Sequence, residues 1–560
     1  MLTRRSLIAT VTAASMLVAA CGSDDDGAAD SEPAADDAPP DSSEPVDDAD
    51  ASDTDDAVDE PADDSTDTTD DTTDDTADNG SSDEPADADG GGVLRVALTF
   101  APDSGLAIES DDASTLVKAG VIEGLVRSDA SGQPTPALAE SWERIDATTW
   151  EFALRSDVVF HDGSAFNADA VAIAIDHISN VAAPPRSLGG LTLTTEVVDD
   201  TTVRILTSDP DPILPLRVSS RSMGILAPAA YESDPTEPIG TGPFQLTGFT
   251  PPDSLTVERF DDYWGETAQL AGAEFRFLPD ARARAAAIRA DEVDVADGIP
   301  IAELEAIEDD ASIDLIRFDL PRTASLYSNT QSGPMADADL RRAVSLAIDN
   351  DAIADELLEG QFAAARGYFG AENAWAPQDL PPEDAAEQAS AIVDAADPAD
   401  RSLSIWTYTG RDELADIATV AQAQLQDVGF DVDVEVGEYT PLEARVFAGE
   451  HDLFLGSRGY YFDIADAGSL FTSDFTCEGG YNLNLYCDPE FDALVAELAE
   501  VDSTDERQGL FGEAAMYVQE RNIGIPVVHD RARYAVRDDV EGLVIDPFEL
   551  ILLTPSVSLS

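Results

Sequence analysis

Apolar residues recur along this chain with two spacings, and the switch between them marks where helices give way to strands. Across 412–428, Leu414, Ile417, Ala418, Ala421, Leu425 and Val428 fall at helical spacing. Gly429 ends that run, and the period becomes two. Phe430, Val432, Val434 and Val436 point one way, and Asp431, Asp433 and Glu435 the other. Glycine suits the left-handed stop of a helix and alternation suits a half-exposed strand, so the stretch predicts an α/β unit. Thr149–Leu154 alternates as well, with Trp150, Phe152 and Leu154 on one face. Residues 403–408 and 452–455 read as further strands, and 338–349, 490–500 and 505–520 as amphipathic helices. The pattern repeats through 93–560 with no internal repeat, so the expected class is α/β.

The first 92 residues follow neither spacing. Arg4 and Arg5 precede an apolar stretch over 6–20, too short for the roughly 20 residues of a membrane-spanning helix. That stretch ends Val18-Ala19-Ala20-Cys21, which resembles the lipobox of bacterial lipoprotein signal peptides, where the cysteine is lipid-modified. The pair of arginines is compatible with general or twin-arginine export. Residues 22–92 then hold 29 Asp and Glu and no Lys or Arg. Such a segment buries too little apolar surface to offset its ordering entropy, so it is expected to be a disordered tether. A flexible coil of that length spans roughly 45–50 Å, and charge repulsion lengthens it.

Charge narrows the function. The formal net charge is −85, and residues 93–560 alone carry 86 acids against 28 bases, a net −58. Phosphate backbones would be repelled, which excludes nucleic acid as a partner. An acidic surface of this kind reads more simply as a solubility device than as an acid-seeking site. Three cysteines and four scattered histidines (161, 177, 451 and 529) leave little material for a metal or haem centre, and neither cofactor nor metal is expected. The serine-elbow, phosphate-loop and His-Glu-x-x-His motifs are all missing, so the chain does not read as an enzyme.

Several segments in order resemble one family. They are Val121-Ile122-Glu123-Gly124-Leu125, Pro136-Ala137-Leu138-Ala139-Glu140-Ser141-Trp142, Trp150-Glu151-Phe152 and Phe160-His161-Asp162-Gly163. Further on come Pro238-Ile239-Gly240-Thr241-Gly242-Pro243-Phe244, Asp262-Tyr263-Trp264-Gly265, Leu340-Arg341-Arg342-Ala343 and Ile525-Pro526-Val527. Together they resemble the peptide/nickel-type solute-binding proteins of ABC transporters, family 5. Two glycines and a proline in 240–243 suit a turn with special dihedrals. Trp142, Trp150 and Trp264 read as packing rather than ligand contacts.

The resemblance implies a two-lobed, three-domain periplasmic-binding-protein fold of class II with discontinuous domains. The expected division is 93–125, 235–318 and 523–560 for domain I, 126–234 for domain II and 319–522 for domain III. It implies a monomeric, extracytoplasmic carrier that delivers a short peptide or similar solute to ABC permease subunits. Its only membrane contact would be the lipid on Cys21. A lipid-anchored hydrolase, or a carrier of a metal chelate or oligosaccharide, is the alternative. In dipeptide-binding members an aspartate at the position of Asp463 pairs with the ligand's ammonium, so Asp463 is the implied anchor, with Tyr460 and Tyr461 as aromatic walls. The plainer alternative is a solvated acidic loop. Arg411 is the implied carboxylate clamp, with Arg458 and Arg366 as substitutes. Cys477 and Cys487, the only cysteines beyond the leader, match a disulfide pair of the dipeptide-binding members.

Overall fold

In the computed structural model the described residues are 91–560; the leader with Cys21 and all but the last two residues of the acidic stretch lie outside them. The unit at Gly429 takes the form its pattern predicts. A helix at Asp412–Asp427 buries Leu414, Ile417, Ala418, Ala421 and Leu425, Gly429 turns with φ +107°, and a strand follows at Asp431–Gly437. Val436 stays exposed although its period points it inward, because this strand is the edge of its sheet. The helix expected over 338–349 ends at Ala347. Ile348 is already extended, and the Asp349 carboxylate caps the next turn by accepting the N–H of Ala352. The helix expected over 490–500 is α-helical at Pro489–Ala496 and tightens to a 3₁₀ turn at Glu497–Glu500.

One large mixed sheet organises the chain. From one edge its strands run Asp431–Gly437, Ser402–Tyr408, Leu453–Gly459, Ile313–Ser328, Ile525–Arg537, Val295–Ala296, Val93–Leu98, Gly272–Phe277, Ser254–Arg259 and Phe244–Thr250. The first three are parallel to one another, as are Val295–Ala296, Val93–Leu98 and Gly272–Phe277. Within the sheet the two parallel blocks are joined by the long antiparallel pair Ile313–Ser328 and Ile525–Arg537, whose register shifts between Asp319 and Thr323. That pair belongs to two cores. Ile313 and Leu320 pack with the Val93–Phe277 block, whereas Leu326 and Tyr327 pack with the 402–459 block. The expected domain boundary at 318/319 therefore falls inside a continuous strand, beside its register shift.

A separate four-stranded antiparallel sheet, in the order Ala139–Arg144, Thr149–Leu154, Thr202–Thr207 and Leu193–Asp199, carries the helix Ala168–Asn180. That helix buries Val171, Ala174, Ile175 and Ile178 and is capped by Asn167, whose side chain accepts the N–H of Ala170. Two of the motif segments dock on each other. His161 Nε2 lies 3.0 Å from the Gly242 carbonyl, and the Gly242 and Phe244 N–H groups donate to Val121 and Gly120. The glycines in 240–243 answer to close approach rather than to the special dihedrals expected of them. A Cβ on Gly240 would sit 2.0 Å from the Val121 oxygen, yet neither Gly240 nor Gly242 has positive φ. The three tryptophans pack: Trp150 donates to the Asp211 carbonyl, Trp264 donates to Glu123 and lies under Arg155, and Trp142 lies beside Phe152.

Candidate functional site

The carboxyl ends of parallel strands are where α/β sheets leave a crevice, because the chain departs there in opposite directions. Here the strand Val93–Leu98 runs out into Thr99, Phe100 and Ala101, and Ser402–Tyr408 runs out into Gly410 and Arg411. Both ends open on one cavity of about 680 Å³, floored by Leu320, Arg322 and 530–534 of the long strand pair. That volume lies within the range of small-molecule sites. Its aromatic wall comes from Phe100, Tyr408, Tyr439, Phe462, Tyr481 and Tyr534.

Base is scarce in this chain but not in this cavity. Nine of the 28 Lys and Arg of 93–560 line it, against 11 of the 86 acids. Most of these cations are paired. Arg411 sits 2.9 Å from Asp530 and 3.8 Å from Glu413, and its guanidinium faces the Phe100 ring. Burial, helped by Glu413, pushes the Asp530 carboxyl up despite Arg411. Arg322 holds Glu549 at 2.6 Å. Burial would raise that carboxyl, but Arg322 and Arg411 bring it down to about 2.

Asp463 sits beside this wall in a cage of arginines. Arg458 approaches it at 2.7 Å, Arg221 at 3.1 Å and Arg186 at 3.3 Å. Arg458 also pairs with Asp474 at 2.9 Å, and Arg186 and Arg221 share Asp111. Three guanidiniums and three carboxylates make a neutral cluster. Burial opposes ionisation of Asp463, yet Arg186, Arg458 and Arg221 overcome it and hold its carboxyl well below the usual range. The expectation that Asp463 presents an open carboxylate to an ammonium is thus corrected: its oxygens are already engaged by the protein's own cations.

The other implied residues scatter. Arg411 and Arg458 line the cavity. Tyr460 does not; it is buried against Phe369, with its hydroxyl on Glu372 and within 3.4 Å of Asn373. Tyr461 turns the same way and donates to Asn373 at 2.6 Å. Neither ring is among the cavity walls, because Tyr460 continues the strand Leu453–Gly459, donating its N–H to the Pro321 carbonyl, and faces the core behind it. Arg366 lies in a different, smaller cavity, paired with Asp351. Cys477 and Cys487 are joined, with Cα atoms 4.3 Å apart. Between them Tyr481 reaches the cleft, where Arg186 and Arg458 lie 4.9 and 4.8 Å from its ring centroid. Asn482 braces this loop, donating to the Thr476 and Tyr486 carbonyls. Arg186, Arg221 and Tyr481 had no signal in the sequence pattern, since their partners are remote along the chain.

The large sheet is thus in two parts, with a cleft where they meet that is charged on both walls. Residues 133–482 match the profile described as "Bacterial extracellular solute-binding proteins, family 5 Middle". The chain belongs to this family, the extracytoplasmic substrate-binding components of ABC importers, which are not enzymes. A probable di/tripeptide-binding protein of Pseudomonas aeruginosa is 28% identical over 466 residues, which is 76% of this chain and 87% of that protein. Among solved structures, NikA of Staphylococcus aureus in complex with Ni(L-His)2 superposes with a TM-score of 0.77. It is 20% identical and covers 84% of this chain and 100% of its own. DppA of Helicobacter pylori in complex with the peptide STSA gives 0.74 at 22% identity, over 84% and 98%. No helix among the described residues is long and apolar enough to cross a membrane.

Proposed function

We propose that the chain captures a short peptide in the cavity between its two sheet blocks and hands it to an ABC permease, held at the membrane by lipid on Cys21. The carrying observation is the cavity itself: about 680 Å³, with aromatic walls for a peptide backbone and arginines for its carboxylate. The di/tripeptide-binding name of the P. aeruginosa relative supports the same reading. Domain I (93–125, 235–318 and 523–560) and domain III (319–522) form the facing walls, domain II (126–234) supplies Arg186 and Arg221, and the protein works as a monomer. Arg411 is the carboxylate clamp. Its Nε and Nη2 donate to no described residue, neither is among the buried unpaired atoms, and Arg411 lines the cavity. In calorimetric titration, Arg411→Met should weaken free-carboxylate dipeptides by about tenfold more than their C-terminal amides, the worth of one charge-assisted bond. Equal losses for both would remove Arg411 from the site. Titration with nickel–histidine alongside tests the chelate reading, which predicts heat from that complex and none from peptides.

The anchor is tested separately. The 6–20 stretch is too short to span and stops at Cys21, so lipid is the only attachment this reading provides. Cys21→Ala should move the protein from the membrane pellet to the soluble fraction. Retention of that variant in the pellet overturns the lipid anchor.

A further inference from the structure

The cleft offers unpaired donors to an anion, while its buried carboxylates, Asp463 and Asp530, are engaged by the protein's own donors. This bears on the charge of the solute and rests on the peptide reading above. Arg186 and Arg458 each spend Nε and Nη2 on Asp463, Asp111 or Asp474, while the Nη1 of each bonds no described residue. Neither Nη1 is among the buried unpaired atoms, and both residues line the cavity. The chain's only lysine, Lys118, lines the same cavity. It ends the helix Ala113–Lys118, lies within electrostatic reach of Glu549 and Asp546, and pairs with neither.

The inner carboxylates are spent. Asp463 is caged, Asp530 and Glu413 share Arg411, Glu549 is on Arg322, and Asp112 accepts three backbone N–H groups. An ammonium entering at Asp463 would have to displace a guanidinium from it and leave three guanidiniums to share Asp111 and Asp474, which weakens a largely buried ion-pair network. Asp297 accepts from Thr99 and pairs with Arg284, and the half-buried Glu443 accepts from Tyr439; Asp103, Asp412 and Asp416 are exposed, where an ion pair is worth about 1 kcal/mol or less. A carboxylate displaces nothing and gains charge-assisted bonds.

We propose that this cleft selects short peptides of net negative charge, whose carboxylates bond the spare guanidinium edges of Arg186 and Arg458 and the ammonium of Lys118. Asp463 is then a positioning residue that holds Arg186, Arg221 and Arg458 in place.

The test is calorimetric titration of the intact protein with Glu-Glu, N-acetyl-Glu-Glu, Ala-Ala and Lys-Lys. Glu-Glu should bind at least tenfold more tightly than Ala-Ala, with Lys-Lys weakest, and acetylation should change the Glu-Glu affinity less than threefold. Lys118→Met, which breaks no ion pair and so spares the fold, should cost Glu-Glu about tenfold more than it costs Lys-Lys. Arg186→Met should do the same. Lys-Lys binding as tightly as Glu-Glu, a tenfold loss on acetylation, or equal losses in Lys118→Met overturns the anionic selection while leaving peptide carriage standing. Binding of none of the four overturns the peptide reading and the inference with it.

Discussion

Asp463 and its three arginines are separated along the chain by 5, 242 and 277 residues, and only the nearest, Arg458, shares its local segment. Sequence therefore showed the acid and one arginine but not the role, because Arg186 and Arg221 arrive from the segment carrying the four-stranded sheet. The difference between an open anchor and an internal counter-ion is measurable in the empty protein. An open carboxylate could be removed with little effect on stability. A caged one leaves three buried guanidiniums facing two carboxylates, and breaking such a set costs about 3–5 kcal/mol. Asp463→Asn should therefore lower the thermal midpoint by several degrees at neutral pH, without any ligand. The pH dependence has a definite sign. A carboxyl held below its unfolded value stabilises the fold above that value and loses the contribution as pH falls through its folded pKa. Since Asp463 is held well below 3.8, the deficit of Asp463→Asn should persist at pH 4 and shrink only in more acidic solution. A variant as stable as the parent at pH 7 would restore Asp463 as a free anchor.

At the level of single elements the pattern was most legible where one face meets a core and least where a segment's purpose is to reach another segment. The helix Asp412–Asp427 and the strand Asp431–Gly437 follow from spacing alone, since their burial is set by period and by one glycine. The strand Ile313–Ser328 did not stand out. Its first half packs with one core and its second half with another, so no single face stays buried along its 16 residues. The loop closed by Cys477–Cys487 is of the same kind: its cysteines were plain in the sequence, and the residue it delivers was not. Gly479 fits because a Cβ there would sit 2.4 Å from the Ser473 oxygen, and Tyr481 N–H donates to that same oxygen. The disulfide thus fixes a loop that also places an aromatic wall. Closing a loop of this length should stabilise by about 2–3 kcal/mol. The double variant Cys477→Ser/Cys487→Ser should lower the thermal midpoint accordingly and weaken peptide binding severalfold, because Tyr481 loses its brace. A lowered midpoint with unchanged affinity would confine the bond to a structural role.

For the whole molecule the balance is between buried ion pairs and a surface of uncompensated acid. The two-lobed class was legible because ordered motifs carried the resemblance; the meeting of the lobes was not, because it is built from pairs such as Arg221–Asp463 and Thr440–Asp103 that no local pattern encodes. Residues 93–560 hold 86 acids and 28 bases, and the arginine-rich clusters in and around the cleft use base that the exterior then lacks. Self-repulsion of such an exterior destabilises the compact state, and salt screens it: the Debye length falls from roughly 14 Å at 0.05 M to roughly 4 Å at 0.5 M. Buried clusters such as Arg458–Asp463–Asp474 are screened far less, so added salt should relieve repulsion without dissolving what holds the lobes. The thermal midpoint should accordingly rise by several degrees between 0.05 and 0.5 M sodium chloride. Affinity for a dianionic peptide should fall over the same range, since its carboxylates meet cations that open onto solvent. Scanning calorimetry and titration at the two salt concentrations read both slopes. A midpoint that falls with salt would mean that exposed pairs, not surface repulsion, dominate the stability of this acidic chain.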